Sequence, residues 1–188
     1  MCKAIKFFGR MQSRPAFFVC RKENFMTIIV EPYTKKNILP AIEIWNEIVR
    51  AGVAFPQEEE LNEVTGDNFF KAQSFTGLAT DKETDEIVAL YILHPNNVGR
   101  CGHICNASYA VRSDLRGKHI GEKIVQHCIA KARELGFKIL QFNAVVAENI
   151  HARNLYKRLG FIELGTIPGG FRMPDGSFAD IVPQYILL

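Results

Sequence analysis

Residues 109–121 read Tyr-Ala-Val-Arg-Ser-Asp-Leu-Arg-Gly-Lys-His-Ile-Gly (YAVRSDLRGKHIG), and this stretch decides the architecture. A strand ends at Val111, a short polar loop follows, and a long amphipathic helix begins. The spacing predicts that helix over 117–136. Ile120, Ile124, Val125, Cys128, Ile129, Ala132 and Leu135 form one apolar face, and Gly136 closes it. The loop places Arg116, Gly117, Lys118, His119, Ile120 and Gly121 at the helix start. Backbone N–H groups there lack helical partners and stand at the positive end of the helix dipole. Such a start binds phosphate or pyrophosphate. Glycine lets the backbone come close to the anion, and Arg116 and Lys118 add charge. The same residues would also make an ordinary strand-to-helix turn with solvated cations.

Downstream, 138–146 (KILQFNAVV) reads as a buried strand. A short helix follows over 149–159, with Leu155 and Leu159 inward and Gly160 as its stop. Asn149 stands at an N-cap position. Tyr156 is seven residues on, so both side chains share one side of the helix. A structural cap and a packed tyrosine would satisfy the same spacing. Upstream, 27–33 is a strand. Ile38, Leu39, Ile42, Trp45, Ile48 and Val49 mark a helix ended by Gly52. A second helix falls within 58–73, anchored by Phe69 and Phe70. Residues 75–80 and 86–93 form a hairpin across a polar turn. Residues 94–102 are a loop and 103–112 a further strand. The chain ends in a strand pair, 161–167 with 178–187. The order is βααβββαβαββ, a mixed α/β sheet with helices on its faces.

The chain has 188 residues, 47% hydrophobic and 23% charged. That is globular composition for one domain, with a core that needs no disulfide framework. The longest apolar runs fall far short of the ~18 residues of a transmembrane helix. The net charge of +3 does not imply a nucleic-acid partner. Residues 1–25 hold six bases (Lys3, Lys6, Arg10, Arg14, Arg21, Lys22) and one acid (Glu23), so the remainder is near neutral. The reading is a basic N-terminal extension or leader over 1–25 and one domain over 26–188. Five cysteines, an odd number, argue against a disulfide scaffold and for a reducing, cytoplasmic setting. Organelle targeting by residues 1–25 stays open. Cys101, His103 and Cys105 alternate onto one strand face, but no fourth ligand stands at a usual zinc spacing, so no metal is expected. Cys128, on the apolar helix face with no base supplied to it, reads as structural.

The phosphate loop, the buried strand and then Asn-x-x-Ala-x-x-Leu-Tyr-x-x-x-Gly-Phe (residues 149–161) together resemble the GCN5-related N-acetyltransferase superfamily, matched in order over 109–161. The resemblance implies a mostly antiparallel mixed sheet with a splayed central strand pair, acetyl-CoA as co-substrate, and a homodimer. It implies that Arg116 to Gly121 grip the pyrophosphate, with His119 standing where the family usually has glycine. It implies Asn149 on the pantetheine arm, Tyr156 beside the sulfur as general acid, and the strand ending at Val111 open to the thioester. A narrower resemblance, over about 99–167, is to fungal acetyltransferases of azetidine-2-carboxylate. It implies Asn106 in catalysis and Asn143 in substrate binding, where buried asparagines satisfying one another would be the structural alternative. The expected function is direct acetyl transfer to a small-molecule amine. A peptide N-acetyltransferase and a non-catalytic CoA-binding module are the alternatives. No nucleic acid or membrane partner is expected. Phe55, Trp45 and Phe69 are candidates for an apolar wall. The loop 168–178, with Arg172, is either a cover for the acceptor pocket or a hairpin tip.

Overall fold

The computed structural model describes residues 26–188, so the reading of 1–25 as an extension or leader lies outside the described residues. Strand β1 (Ile28–Pro32) opens the domain, followed by helices α1 (Ile38–Ala51) and α2 (Glu63–Lys71). Next come β2 (Phe75–Asp81), β3 (Ile87–Pro95) and β4 (Ile104–Val111). Helix α3 (Ile120–Glu134), β5 (Ile139–Phe142) and α4 (Ile150–Arg158) follow. Four short strands end the chain: β6 (Ile162–Glu163), β7 (Ile167–Arg172), β8 (Phe178–Ile181) and β9 (Gln184–Leu187).

Seven strands form one sheet in the order β1-β2-β3-β4-β5-β9-β6, and β7 and β8 pair apart from it. Among the described strands of this sheet only the β4–β5 pairing is parallel. Apolar side chains leave both faces of the sheet. On one face α3 buries Ile120, Ile124, Val125, Cys128 and Ala132 against Tyr91, Cys105 and Leu140. On the other, α1 and α2 bury Ile44, Trp45, Ile48 and Phe70 against Leu78, Leu90, Ile92 and Ala110. This is the expected α/β architecture, with helices on both faces.

Three expectations change. Helix α3 begins at Ile120 rather than 117. Arg116 is extended, Gly117 has φ +80° and His119 φ +60°, so the chain passes through two left-handed residues before it can wind. The strand expected over 138–146 ends at Phe142. Val145 and Val146 look strand-like because they are buried, but their backbone turns to β8. Val146 bridges Ile181, Val182 N–H donates to Val145 at 2.8 Å, and Ala147 N–H donates to Asp180 at 2.8 Å. The C-terminal pair divides in two. Residues 178–187 are interrupted at Val182–Pro183, and proline offers no N–H to a ladder. The two halves therefore pair separately, β8 with β7 and β9 with β5 and β6.

Candidate active site

Strands β4 and β5 share only two rungs, Ile104 with Ile139 and Cys105 with Leu140. Beyond them β4 runs on from Asn106 to Val111 paired with β3 alone, while β5 stops. The two strands splay. A cavity of about 280 Å3 opens in the gap. Asn106, Ser108 and Tyr109 of β4 line it. So do Phe142 to Val146, Asn149 and Tyr156 of the α4 region, and Ala54, Phe55 and Pro56 after α1.

The structure thus brings Asn106, Asn143, Asn149 and Tyr156 to one cavity. The Asn149 carboxamide oxygen caps α4, accepting from Ala152 N–H at 3.2 Å. Tyr156 is held by aromatic neighbours, with ring centroids 4.6 Å from Phe142 and 5.4 Å from Phe161. Burial, with a smaller contribution from Cys128, pushes its phenol above its ordinary value, so it keeps its proton and can donate it. The oxygen of Asn106 accepts from Ala107 N–H at 2.7 Å, which leaves the amide NH2 as its outward-facing group. Asn143 lies just past the end of β5. Its NH2 donates to Asn96 at 2.6 Å, and its oxygen accepts from Asn96 at 3.2 Å and from Gln141 at 2.9 Å.

The cofactor candidates Val111, Arg116, Gly117, Lys118, His119, Ile120 and Gly121 run from the open end of β4 to the first turn of α3. They do not line the gap cavity. Gly121 lets α4 come near, since a Cβ there would sit 3.7 Å from Leu155. The one acid of that first turn, Glu122, is engaged by Arg158 at 3.2 Å. A second opening, about 360 Å3, lies between the β2–β3 turn and Lys118. It carries Asp81, Glu83 and Glu86 and shares no lining residue with the gap, so it suits no phosphate.

The apolar wall is partly as expected. Phe55 lines the cavity, and Trp45 backs it at 4.4 Å between ring centroids. Phe69 packs on the far side of Trp45 at 4.9 Å. Residues 168–178 form the β7–β8 hairpin, whose tip lies on the end of α1 with Pro174 against Gly52. Arg172 pairs with Glu58 and takes no place in the cavity wall. Cys101 is exposed in a turn, Cys105 is buried and donates to Ile139 at 3.2 Å, and the two do not join His103 in a ligand set. Burial pushes the Cys105 and Cys128 thiols up to about 12, which suits structural thiols rather than nucleophiles.

Sequence reasoning missed Tyr109. Its hydroxyl is enclosed and has no hydrogen-bond partner among the described residues; the Cys128 thiol beside it is only a weak one. Strand alternation puts Tyr109 on the same face as Cys105 and Ala107, but nothing local says that this face borders a gap.

A family profile described as Acetyltransferase (GNAT) family matches residues 41–161, which includes the phosphate loop, the splayed strands and the Asn149–Tyr156 helix. The chain belongs to the GNAT acetyltransferase family. As a GNAT enzyme it is an N-acetyltransferase that uses acetyl-CoA. It is 28% identical to the N-acetyltransferase aca1 of Schizosaccharomyces pombe, over 88% of this chain and 90% of that one. It is 27% identical to a GCN5-related N-acetyltransferase from Kribbella flavida, with a TM-score of 0.78 over 86% of this chain and 98% of that one. A phosphinothricin acetyltransferase of Sinorhizobium meliloti, solved with acetyl-CoA, superposes with a TM-score of 0.79. That match covers 87% of this chain and 89% of that one at 18% identity, a likeness of fold. In this acetyltransferase the edge of β4 turned away from β3 has no strand partner from Asn106 to Val111 among the described residues.

Proposed function

We propose that the chain transfers the acetyl group of acetyl-CoA directly to the amine of a small molecule, with a compact amino or imino acid as the acceptor class. The observation that carries this reading is the gap cavity itself. It is about 280 Å3, and no charged side chain among the described residues lines it. A polyamine or a lysine-rich peptide brings further cations that such a wall leaves unpaired, at a cost in desolvation. The acids Glu58 and Glu60, which would suit a basic peptide, are engaged by Arg172 and Arg50.

In this reading the residues take the following roles. Arg116, Lys118 and the backbone of Gly117, His119, Ile120 and Gly121 hold the pyrophosphate at the start of α3. Asn149 and the open edge of β4 down to Val111 hold the pantetheine arm. Asn143 and Phe55 orient the acceptor. The neutral amine attacks the acetyl carbonyl, the C–N bond forms, and the C–S bond breaks as Tyr156 gives its proton to the sulfur. The NH2 of Asn106 and N–H groups of the unpaired β4 edge stabilise the oxyanion. Holding both reactants in the gap supplies most of the acceleration.

The test is thiol release from acetyl-CoA by the full chain across azetidine-2-carboxylate, proline, other amino acids, polyamines and short peptides. Turnover confined to small amino or imino acids is the expected result. Turnover with peptides alone would transfer the reading to a peptide N-acetyltransferase.

A further inference from the structure

The strands β3 and β4 place His94 directly across from Asn106. Their register fixes the faces. Tyr91 and Tyr109 are partners three positions away and turn together toward α3, with rings 5.9 Å apart. Leu93 and Ala107 follow them onto that face. The pairs between, Ile92 with Ser108 and His94 with Asn106, therefore turn to the opposite face, where Asn106 and Ser108 border the gap. Side chains directly opposite on antiparallel strands stand ~5 Å apart at Cβ. His94 thus lies beside the one wall residue closest in kind to a catalytic group.

Asn106 itself cannot take a proton at neutral pH, and no carboxylate among the described residues lines the cavity. The imidazole can. Its Nδ1 is 3.0 Å from the Pro95 carbonyl oxygen, and a carbonyl only accepts. Nδ1 must therefore carry the hydrogen, and in the neutral ring Nε2 holds the lone pair. The tautomer is set by the backbone in the form a base needs. The same face continues in the amides Asn96, Gln141 and Asn143, joined by hydrogen bonds. Of the charged groups on the elements packed over this face, Glu63 in the first turn of α2 has no ion pair among the described residues, and the following are engaged elsewhere. Glu43 and Glu60 pair with Arg50, Asp67 with Lys71 and Glu58 with Arg172, while Glu47 accepts from Ser113 N–H.

Resting on the acetyl-transfer reading above, we infer that His94 is the proton acceptor for the incoming amine, reached through a water that donates to Nε2 and is oriented by Asn106. The balance is simple. As the C–N bond forms, the amine proton passes to His94. As the C–S bond breaks, the Tyr156 proton passes to the sulfur. Solvent then takes one proton from His94 and returns one to Tyr156.

The experiment compares His94→Gln with the wild type in the full chain. kcat/KM for the best acceptor of the panel is measured across pH, with acetyl-CoA Kd and Tm measured alongside. The expected result is a loss of about 100-fold near neutral pH, with Kd and Tm unchanged. The ratio of wild-type to variant kcat/KM should shrink as pH falls, because a protonated imidazole accepts nothing. The acceptor's own titration cancels in that ratio. Added imidazole should restore turnover to His94→Ala in proportion to its concentration. A ratio of one, or one that does not change with pH, overturns the proposal while leaving acetyl transfer standing. A wild type that turns over no amine at all overturns both.

Discussion

At the residue scale the site depends on which polar atoms are already engaged. The oxygens of Asn106 and Asn149 are held by backbone N–H groups, so each presents its NH2. Tyr156 has no such partner and is kept protonated by burial. Tyr156→Phe removes only the hydroxyl from a ring held by Phe142 and Phe161. It should lower kcat by about 100-fold while acetyl-CoA Kd, by calorimetry, stays within about twofold. Unchanged kcat would end its role as the acid. Because burial raises its pKa, wild-type kcat should also hold through the ordinary phenol range instead of falling there. Asn149 and Tyr156 were legible in the sequence because a helix makes i+7 a local relation. His94 beside Asn106 was not, because a strand register joins residues far apart in the chain. Asn96 and Asn143 meet for the same reason, 47 residues apart.

At the element scale the start of α3 is the strained piece. His119 takes φ +60°, where a side chain costs about 1–2 kcal/mol and glycine costs little. His119→Gly relieves that strain but adds freedom to the unfolded chain, worth about 0.5–1 kcal/mol. The net expectation is a gain of up to about 1 kcal/mol, read as a Tm higher by about 2–4 °C in a thermal melt. A lower Tm would mean that the ring's own contacts, such as the approach to Glu122 at 3.7 Å, outweigh the backbone strain. The elements themselves were readable where a local signal ends them: Gly52 after α1, Gly136 after α3, Gly160 after α4. Where an element ends because its partner leaves, no local signal exists. Val145 and Val146 have strand character, and only the departure of β4 and the arrival of β8 decide that they are not part of β5.

At the scale of the whole molecule the sheet binds two helical layers together, and its one discontinuity lies in its middle. The α1/α2 face supplies Phe55 and Asn106 to the gap, and the α3/α4 face supplies Tyr109 and Tyr156. Ligand binding should therefore stabilise the whole domain and not one lobe. At 100 times its Kd, acetyl-CoA should add about 2.7 kcal/mol, a rise in Tm of roughly 5–10 °C as a single transition. Two separate transitions, only one of them shifted by the ligand, would mean that the gap does not couple the two layers.

The two rungs between β4 and β5 have a mechanical consequence. They act as a pivot: past Cys105 and Leu140 nothing in the ladder ties one half of the sheet to the other. Past that point the halves are joined by the side chains packed beneath α3 and not by backbone bonds. An extended molecule seated in the gap would supply the missing rungs and tie the two halves through backbone as well as through side chains.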